Sequence, residues 1–325
     1  MKNAPWIRKI YIVTNGQIPK WLDLSKTDKI EIITHEQIMP RDSLPTFNSQ
    51  AIESCICNIP NLSEHFLLAN DDCYINKPVT QDFFFTKKGL PIVRLKKIKL
   101  SKYKLKNFMY NRSVQFSNDL INQRFNKNYA FIPHHNIDAY SKSMYINCIE
   151  TFKKEFDKMI YSQFRAEGVQ RVIVALYMLV NDQCKLKCIK KTKFYKHEDS
   201  FYIEIEGKQM LDKIVKSSPN LLCLNDSCRV KENDLEDYQS FLAYLYPERQ
   251  MFEKEQDYVK QNVIDFYKNY AKKFNWWWKL SNKINYLIIF LLRFLLSLFV
   301  RIDKDEEYKT FLLFNFIQLK IKRKK

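Results

Sequence analysis

Residues 61–79, NLSEHFLLANDDCYINKPV, contain a short apolar run, Phe66 to Ala69, that stops abruptly at Asn70-Asp71-Asp72. A run of that length bounded by polar residues predicts a buried strand, with the acidic turn at its carboxyl end. Upstream, Ile7 to Val13 is a β-branched run that ends in the turn Thr14-Asn15-Gly16. Ile30 to Thr34 is a second strand candidate about one helix-length later, and Asn48 to Cys57 reads as a helix. Strand, crossover, strand, helix and strand in this order predict an α/β fold, a mainly parallel Rossmann-like sheet flanked by helices. Ligands of such sheets sit outside the carboxyl ends of the strands, and Asn15 and Asp71/Asp72 both fall there.

Downstream, Arg94 to Lys106 (RLKKIKLSKYKLK) alternates basic and apolar residues, as a strand pair with a solvated face would, or a groove for an anionic acceptor. Glu150 to Phe164 and Val169 to Val180 carry apolar residues at helical spacing, and Asp234 to Tyr270 is helix-like with mixed charges. The last sixty residues differ. Trp276-Trp277-Trp278 precedes the apolar stretch Ile284 to Val300, where Arg293, Ser297 and Arg301 form one narrow polar stripe on a helix. A membrane-spanning helix would bury Arg293 at a cost of about 2.5–3.5 kcal/mol. A helix lying in the interface avoids that cost and suits the basic flanks at Lys272, Lys273, Lys279 and Lys283. The bland alternative is a buried helical hairpin formed with Phe311 to Leu319.

The chain has 325 residues and a formal charge of +18, with apolar content sufficient for a real core, which excludes global disorder. The charge suits an anionic partner: a nucleotide-sugar, an acidic polymer or a membrane surface. No recognised motif supports nucleic-acid binding. The eight cysteines follow no secretory h-region, since MKNAPWIRKI runs into a strand-like segment, so reduced thiols are expected. Cys184/Cys188 and Cys223/Cys228 lack ordinary zinc spacing.

Adjacent carboxylates at a strand end can hold a divalent cation against a diphosphate, although the same residues occur in ordinary Asx turns. His134-His135 places one imidazole where it could take a proton, Arg165 could clamp phosphate, and Leu224-Asn225-Asp226 repeats the apolar-then-acidic pattern. Read singly, each of these has a structural alternative.

Together they resemble one family. The segments 4–24 (APWIRKIYIVTNGQIPKWLDL), 33–39 (ITHEQIM), 44–54 (LPTFNSQAIES) and 61–79 are similar to the second conserved region of the Stealth proteins, hexose-1-phosphoryltransferases of capsule synthesis. Residues 133–156 (PHHNIDAYSKSMYINCIETFKKEF) and 162–168 (SQFRAEG) resemble the third region, 221–229 (LLCLNDSCR) the fourth, and 241–254 (FLAYLYPERQMFEK) the tail that follows it. The resemblance implies a sugar-1-phosphate transferase that takes a UDP-sugar donor and a polysaccharide acceptor, releases UMP and uses Mg2+ or Mn2+. It assigns Asp71, Asp72 and Asp226 to the metal, and His135, Arg165, Asp72 and Asp226 to catalysis. Arg8, Asn15, Gln17, Ser49 and Asn70 fall on the family's polar positions around the donor pocket.

Three departures stand out. The first conserved region is not matched, so the expectation is a truncated chain, one half of a split enzyme whose separate partner chain supplies that region, or a degenerate enzyme. Cys55 stands where the family has histidine, and Gly168 where it has an acid. The expected organisation is a phosphotransferase domain over 1–265, with a glycosyltransferase-like sheet, and a basic amphipathic helical tail over 266–325. That tail would hold the protein against the inner face of a bacterial plasma membrane. A conventional glycosyltransferase releasing UDP is the alternative reading.

Overall fold

The computed structural model describes residues 2–98, 109–189, 200–204, 214, 218–225, 238, 241–254, 300–304, 308–313 and 317–322. The chain divides into two compact units, residues 1–260 and 261–325. In the first, β1 (Ile10–Thr14) and β2 (Ile30–Thr34) pair in parallel from Ile10↔Ile30 to Thr14↔Thr34. β1 turns away at Gly16, whose φ of 101° is left-handed backbone that glycine adopts without strain. α1 (His35–Ile38) leaves the end of β2 directly, with Gln37 Oε1 accepting from the Thr34 N–H at 2.7 Å. α2 (Ser49–Ser54) is capped by Asn48, whose side chain accepts from the Gln50 N–H.

Next come β3 (His65–Leu68), β4 (Cys73–Ile75) and β5 (Ile92–Lys97). They are followed by α3 (Met109–Phe125), β6 (Phe131–Pro133), β7 (Asp138–Ser141), α4 (Lys142–Thr151) and α5 (Lys153–Ile160). α6 (Val172–Val180), β8 (Lys185–Cys188), β9 (Ser200–Glu204) and β10 (Leu221–Asn225) complete the described elements named in this unit.

The α/β class holds, but the strands build several short mixed sheets in place of one mainly parallel sheet. β3 pairs antiparallel with β7; β5 lies between antiparallel β6 and parallel β8; β10 lies between antiparallel β4 and parallel β9. The physical reason is sequence distance. β7 and β10 reach back across much of the chain to pair with β3 and β4, and local strand order does not encode such partners.

α6, with the sequence VIVALYMLV, is apolar on all sides and is accordingly central: Ile173, Val174, Leu176 and Met178 are fully buried. Around it pack Tyr140, Tyr145, Phe156, Leu95 and Ile121. Burying each such side chain contributes roughly 1.5–3 kcal/mol.

Glu64, just ahead of β3, fixes the start of α4. It accepts from the Ser143 N–H at 3.2 Å and from the Ser141 and Ser143 hydroxyls, putting an anion at the positive end of the helix. Burial pushes the Glu64 carboxyl up, but the Ser141 and Ser143 bonds outweigh it and hold the group below its ordinary value.

The basic run beginning at Arg94 proves partly internal. Arg94 is 3% exposed; it sits 4.0 Å over the Phe83 ring and donates to the Phe83 carbonyl at 2.5 Å. Residues 99–106 lie outside the described residues.

Within residues 261–325 the described segments are strands, not the expected helical tail: β11 (Val300–Lys304), β12 (Tyr308–Leu313) and β13 (Ile317–Lys322), antiparallel in sequence order. The stretch Ile-Gln-Leu-Lys-Ile-Lys at 317–322 alternates apolar and polar residues, a strand period that excludes the Phe311–Leu319 helical hairpin. Residues 284–299 lie outside the described residues, among which no helix is long and apolar enough to cross a membrane.

Candidate functional site

Strand ends and short loops of the first unit open onto a cleft of about 2040 Å³. Arg8, Asn15, Gln17, Ser49, Asn70, Asp71, Asp72, His135 and Arg165 all line it, together with Asn225 at the end of β10. Asp226, the next residue, lies outside the described residues. Arg8 is exposed and donates to the Ser63 hydroxyl at 2.9 Å; Asn15 and Gln17 are exposed on the turn after β1. The Thr14 hydroxyl braces that turn, accepting from the Gly16 N–H at 3.1 Å and donating to the Gln17 carbonyl at 2.9 Å.

The floor is organised by a residue that sequence reading passed over. Arg171, immediately before α6, has a side chain only 5% exposed. Its guanidinium donates to Asn70 Oδ1 at 2.8 Å and to the Asn136 carbonyl at 3.2 Å. It also pairs with Glu53 at 3.3 Å and with Asp138 at 3.5 Å. Burial works against the cation, but Glu53 and Asp138 raise its pKa further still, so it stays charged. One buried cation therefore ties the Asn70–Asp72 turn to the loop that carries the histidines. The available signal was a charged residue abutting an all-apolar helix, a position where burial demands partners.

The two histidines divide their roles. His134 is buried, its Nε2 2.8 Å from the Asp138 carboxylate. Burial alone would push the Asp138 carboxyl up, but His134 and then Arg171 hold it below its ordinary value. His135 has a φ of 55°, left-handed backbone uncommon for a residue other than glycine, and its ring lines the cleft. The ring meets Tyr110 edge-on with centroids 5.5 Å apart, and Nδ1 lies 3.4 Å from the Tyr110 hydroxyl. Burial, reinforced by the Arg171 charge, lowers the His135 pKa below 6.5, which leaves the imidazole neutral near pH 7.

Asp72 faces two thiols. Cys223 Sγ donates to one carboxylate oxygen at 3.1 Å and Cys73 Sγ to the other at 3.4 Å. Cys73 and Cys223 are direct cross-strand partners on β4 and β10, and both are free. The Cys223 thiol is pushed up by its hydrogen bond with Cys73, by burial and by Asp72, so it stays protonated. Ligand atoms of Asp72, His135 and Cys223 lie within 4.8 Å of one another, a cluster able to close on one metal ion. Asp71, its neighbour, is exposed on the cleft wall.

At the mouth, Arg165 is exposed and donates to the Ser49 hydroxyl at 2.9 Å. Beside it Phe47 and Phe164 stack with centroids 5.4 Å apart and 12° between planes, while remaining 67% and 64% exposed. The Phe47 N–H donates to the Gln163 carbonyl at 2.7 Å, which clips the two segments together. Two of the departures read from sequence can be placed here. Cys55 is 3% exposed and packs in the core. A side chain at Gly168 would bring its Cβ to 2.5 Å from the Met159 Cε, the far end of a flexible side chain that would have to swing aside.

The chain is similar to several known proteins. Residues 1–93 match conserved region 2 (CR2) of the Stealth proteins. The chain is 30% identical over 289 residues to an exopolysaccharide phosphotransferase of Lactiplantibacillus plantarum, covering 78% of this chain and 82% of that protein. It is 33% identical over 176 residues to a capsular polysaccharide phosphotransferase of Actinobacillus pleuropneumoniae, covering 52% and 47%. It is 28% identical over 264 residues to the capsular polysaccharide phosphotransferase SacB of Neisseria meningitidis serogroup A, covering 78% and 48%. The matches thus span about half the length of the latter two proteins.

Proposed function

As this chain belongs to the Stealth family of polysaccharide phosphotransferases, we propose that it moves hexose 1-phosphate from a UDP-sugar to a polysaccharide hydroxyl in capsule or exopolysaccharide synthesis, releasing UMP. The observation that carries the reading is the convergence of Asn70–Asp72, His135 and Arg165 on one cleft. The acceptor oxygen attacks the β-phosphorus and the bond from that phosphorus to the bridging oxygen of UMP breaks. The sugar's anomeric bond stays intact. Phosphoryl transfer asks mainly for positioning and charge stabilisation. His135, neutral near pH 7, accepts the acceptor's hydroxyl proton. Arg165 meets the phosphate oxygens from the mouth, where its planar fork suits them.

Mg2+ or Mn2+ fits the acidic turn in chemical type. Asp72 is a half-buried carboxylate whose hydrogen-bond partners among the described residues are two thiols, weak donors that an ion could replace. Asp71 and Asp72 would hold the ion, with Asp226 as a further ligand, and it would neutralise charge on the diphosphate. The stacked Phe47–Phe164 pair gives the acceptor sugar an apolar surface beside these polar groups. The net charge of +18 supports work at the inner face of the bacterial plasma membrane, next to anionic lipid.

The test is nucleotide release. With a UDP-sugar, Mg2+ and a short acceptor, UMP should form in an acceptor-dependent way and vanish in Asp72→Asn. Release of UDP instead would make the chain a conventional glycosyltransferase.

A further inference from the structure

We propose that Asp72, His135 and Cys223 form a three-ligand site for Zn2+ or a similar borderline-soft ion, which shuts the enzyme down by occupying its proton acceptor and its acidic turn together. The inhibitory half of this rests on the phosphotransferase reading; the binding half does not.

The three side chains come from separate parts of the chain: the turn after β3, the loop between β6 and β7, and β10. Their ligand atoms nevertheless lie within 4.8 Å of one another. Tetrahedral zinc at bond lengths of about 2.0–2.3 Å places its ligands roughly 3.4 Å apart, so the cluster must contract by an ångström or so. Asp72 and Cys223 are already 3.1 Å apart. Independent observations show that this convergence is built. His135 holds left-handed backbone, and Arg171 bonds to both Asn70 and Asn136, the residues that neighbour the acidic turn and His135.

The donor set decides the metal. One carboxylate, one imidazole and one sulfur are a poor match for Mg2+, which takes oxygen in octahedral geometry. They suit Zn2+ and Co2+, for which nitrogen and thiolate sulfur bind strongly. Binding removes one proton: the Cys223 S–H, now donated to Asp72, is lost to solvent as the sulfur becomes a thiolate ligand. Cys73 can keep its hydrogen bond to the second Asp72 oxygen and so orient the carboxylate from behind. A fourth position is left for water or a donor phosphate, as in zinc sites with three protein ligands.

The test uses the full chain, freed of metal and titrated with Co2+ alone. We expect about one Co2+ per chain, a near-ultraviolet thiolate-to-cobalt charge-transfer band and the visible bands of a tetrahedral ion. Zn2+ should abolish both sets of bands, whereas millimolar Mg2+ should not. Cys223→Ser should lose the charge-transfer band while Cys188→Ser, altered at an exposed thiol, keeps it. His135→Gln should weaken Co2+ binding by at least about tenfold, which gives a second variant if Cys223→Ser fails to fold. Absence of the charge-transfer band in the unmodified protein would overturn the site, as would its survival in a folded Cys223→Ser. Zn2+ should inhibit Mg2+-supported transfer over the range in which it displaces Co2+. Uninhibited transfer would overturn the inhibitory role. Cobalt binding in a protein that transfers nothing would uphold the site and count against the phosphotransferase reading instead.

Discussion

The floor and the mouth of the cleft use the same chemistry, arginine beside polar and aromatic groups, at opposite levels of burial. On the floor, Arg171 is 5% exposed and spends its guanidinium on Glu53, Asp138, Asn70 and Asn136. At the mouth, six residues earlier in the chain, exposed Arg165 touches Ser49 and stands beside the exposed Phe47–Phe164 stack. A buried cation fixes geometry because leaving its partners unpaired is costly, whereas an exposed one keeps its donors available to a ligand. The difference teaches that identical side chains in one site divide into frame and reach, and that burial decides which is which.

The largest expected effect breaks the frame. Arg171→Met should lower the unfolding free energy by about 3–5 kcal/mol, because Glu53 and Asp138 lose their buried cation. Arg165→Met should change it by less than about 0.5 kcal/mol. Urea denaturation of the pair checks this, and equal losses would abolish the distinction. The adjacent histidines repeat the contrast. His135→Ala should cut turnover by about 10²–10⁴ with little change in stability, and turnover within threefold of the parent would end the proposal that it accepts the proton. His134→Ala should cost stability first, about 1–3 kcal/mol, since it orphans the buried side of Asp138. At the mouth, Arg165→Met should reduce transfer by about 10²-fold, and Arg165→Lys should recover only part of it, because an ammonium cannot reproduce the planar fork.

The smallest effect lies in the outer frame at Glu64. Its folded pKa is below the ordinary 4.5, so its contribution to stability is present above that value and is lost as pH falls through the folded pKa. The melting temperatures of the parent and Glu64→Gln should therefore differ at pH 7 and converge towards pH 3. A gap that stays constant across that range would show that the carboxylate charge is irrelevant.

Part of the candidate site was legible because its residues fall at strand ends in short, locally specified turns, while the rest came from the family resemblance. Asn15 and Gln17 follow β1, and Asn70 to Asp72 follow β3, just where the apolar runs stop. Arg171 was hidden because its partners lie 33 to 118 positions away, beyond the reach of any local pattern. Arg94 was read as part of a solvated basic run, yet its guanidinium covers Phe83, a contact made across a fold rather than along a strand. The strands at 300–322 were missed because the apolar content upstream outweighed the plain alternation at 317–322.

The family resemblance chose His135 over His134 and added Arg8, Gln17 and Ser49, whereas local pattern in the sequence determined the α/β class, the positions of β1, β2, β3 and α6, and the polar turns at Asn15 and at Asn70 to Asp72. These follow from period, turn residues and the abrupt change from apolar to acidic, all of which act within a few residues. Tertiary structure alone decided which strands pair, which histidine is buried, that Arg171 locks the floor, and that Cys223 stands against Asp72. Those outcomes depend on burial and on contacts between distant segments, where the cost of an unpaired polar group selects one partner among many.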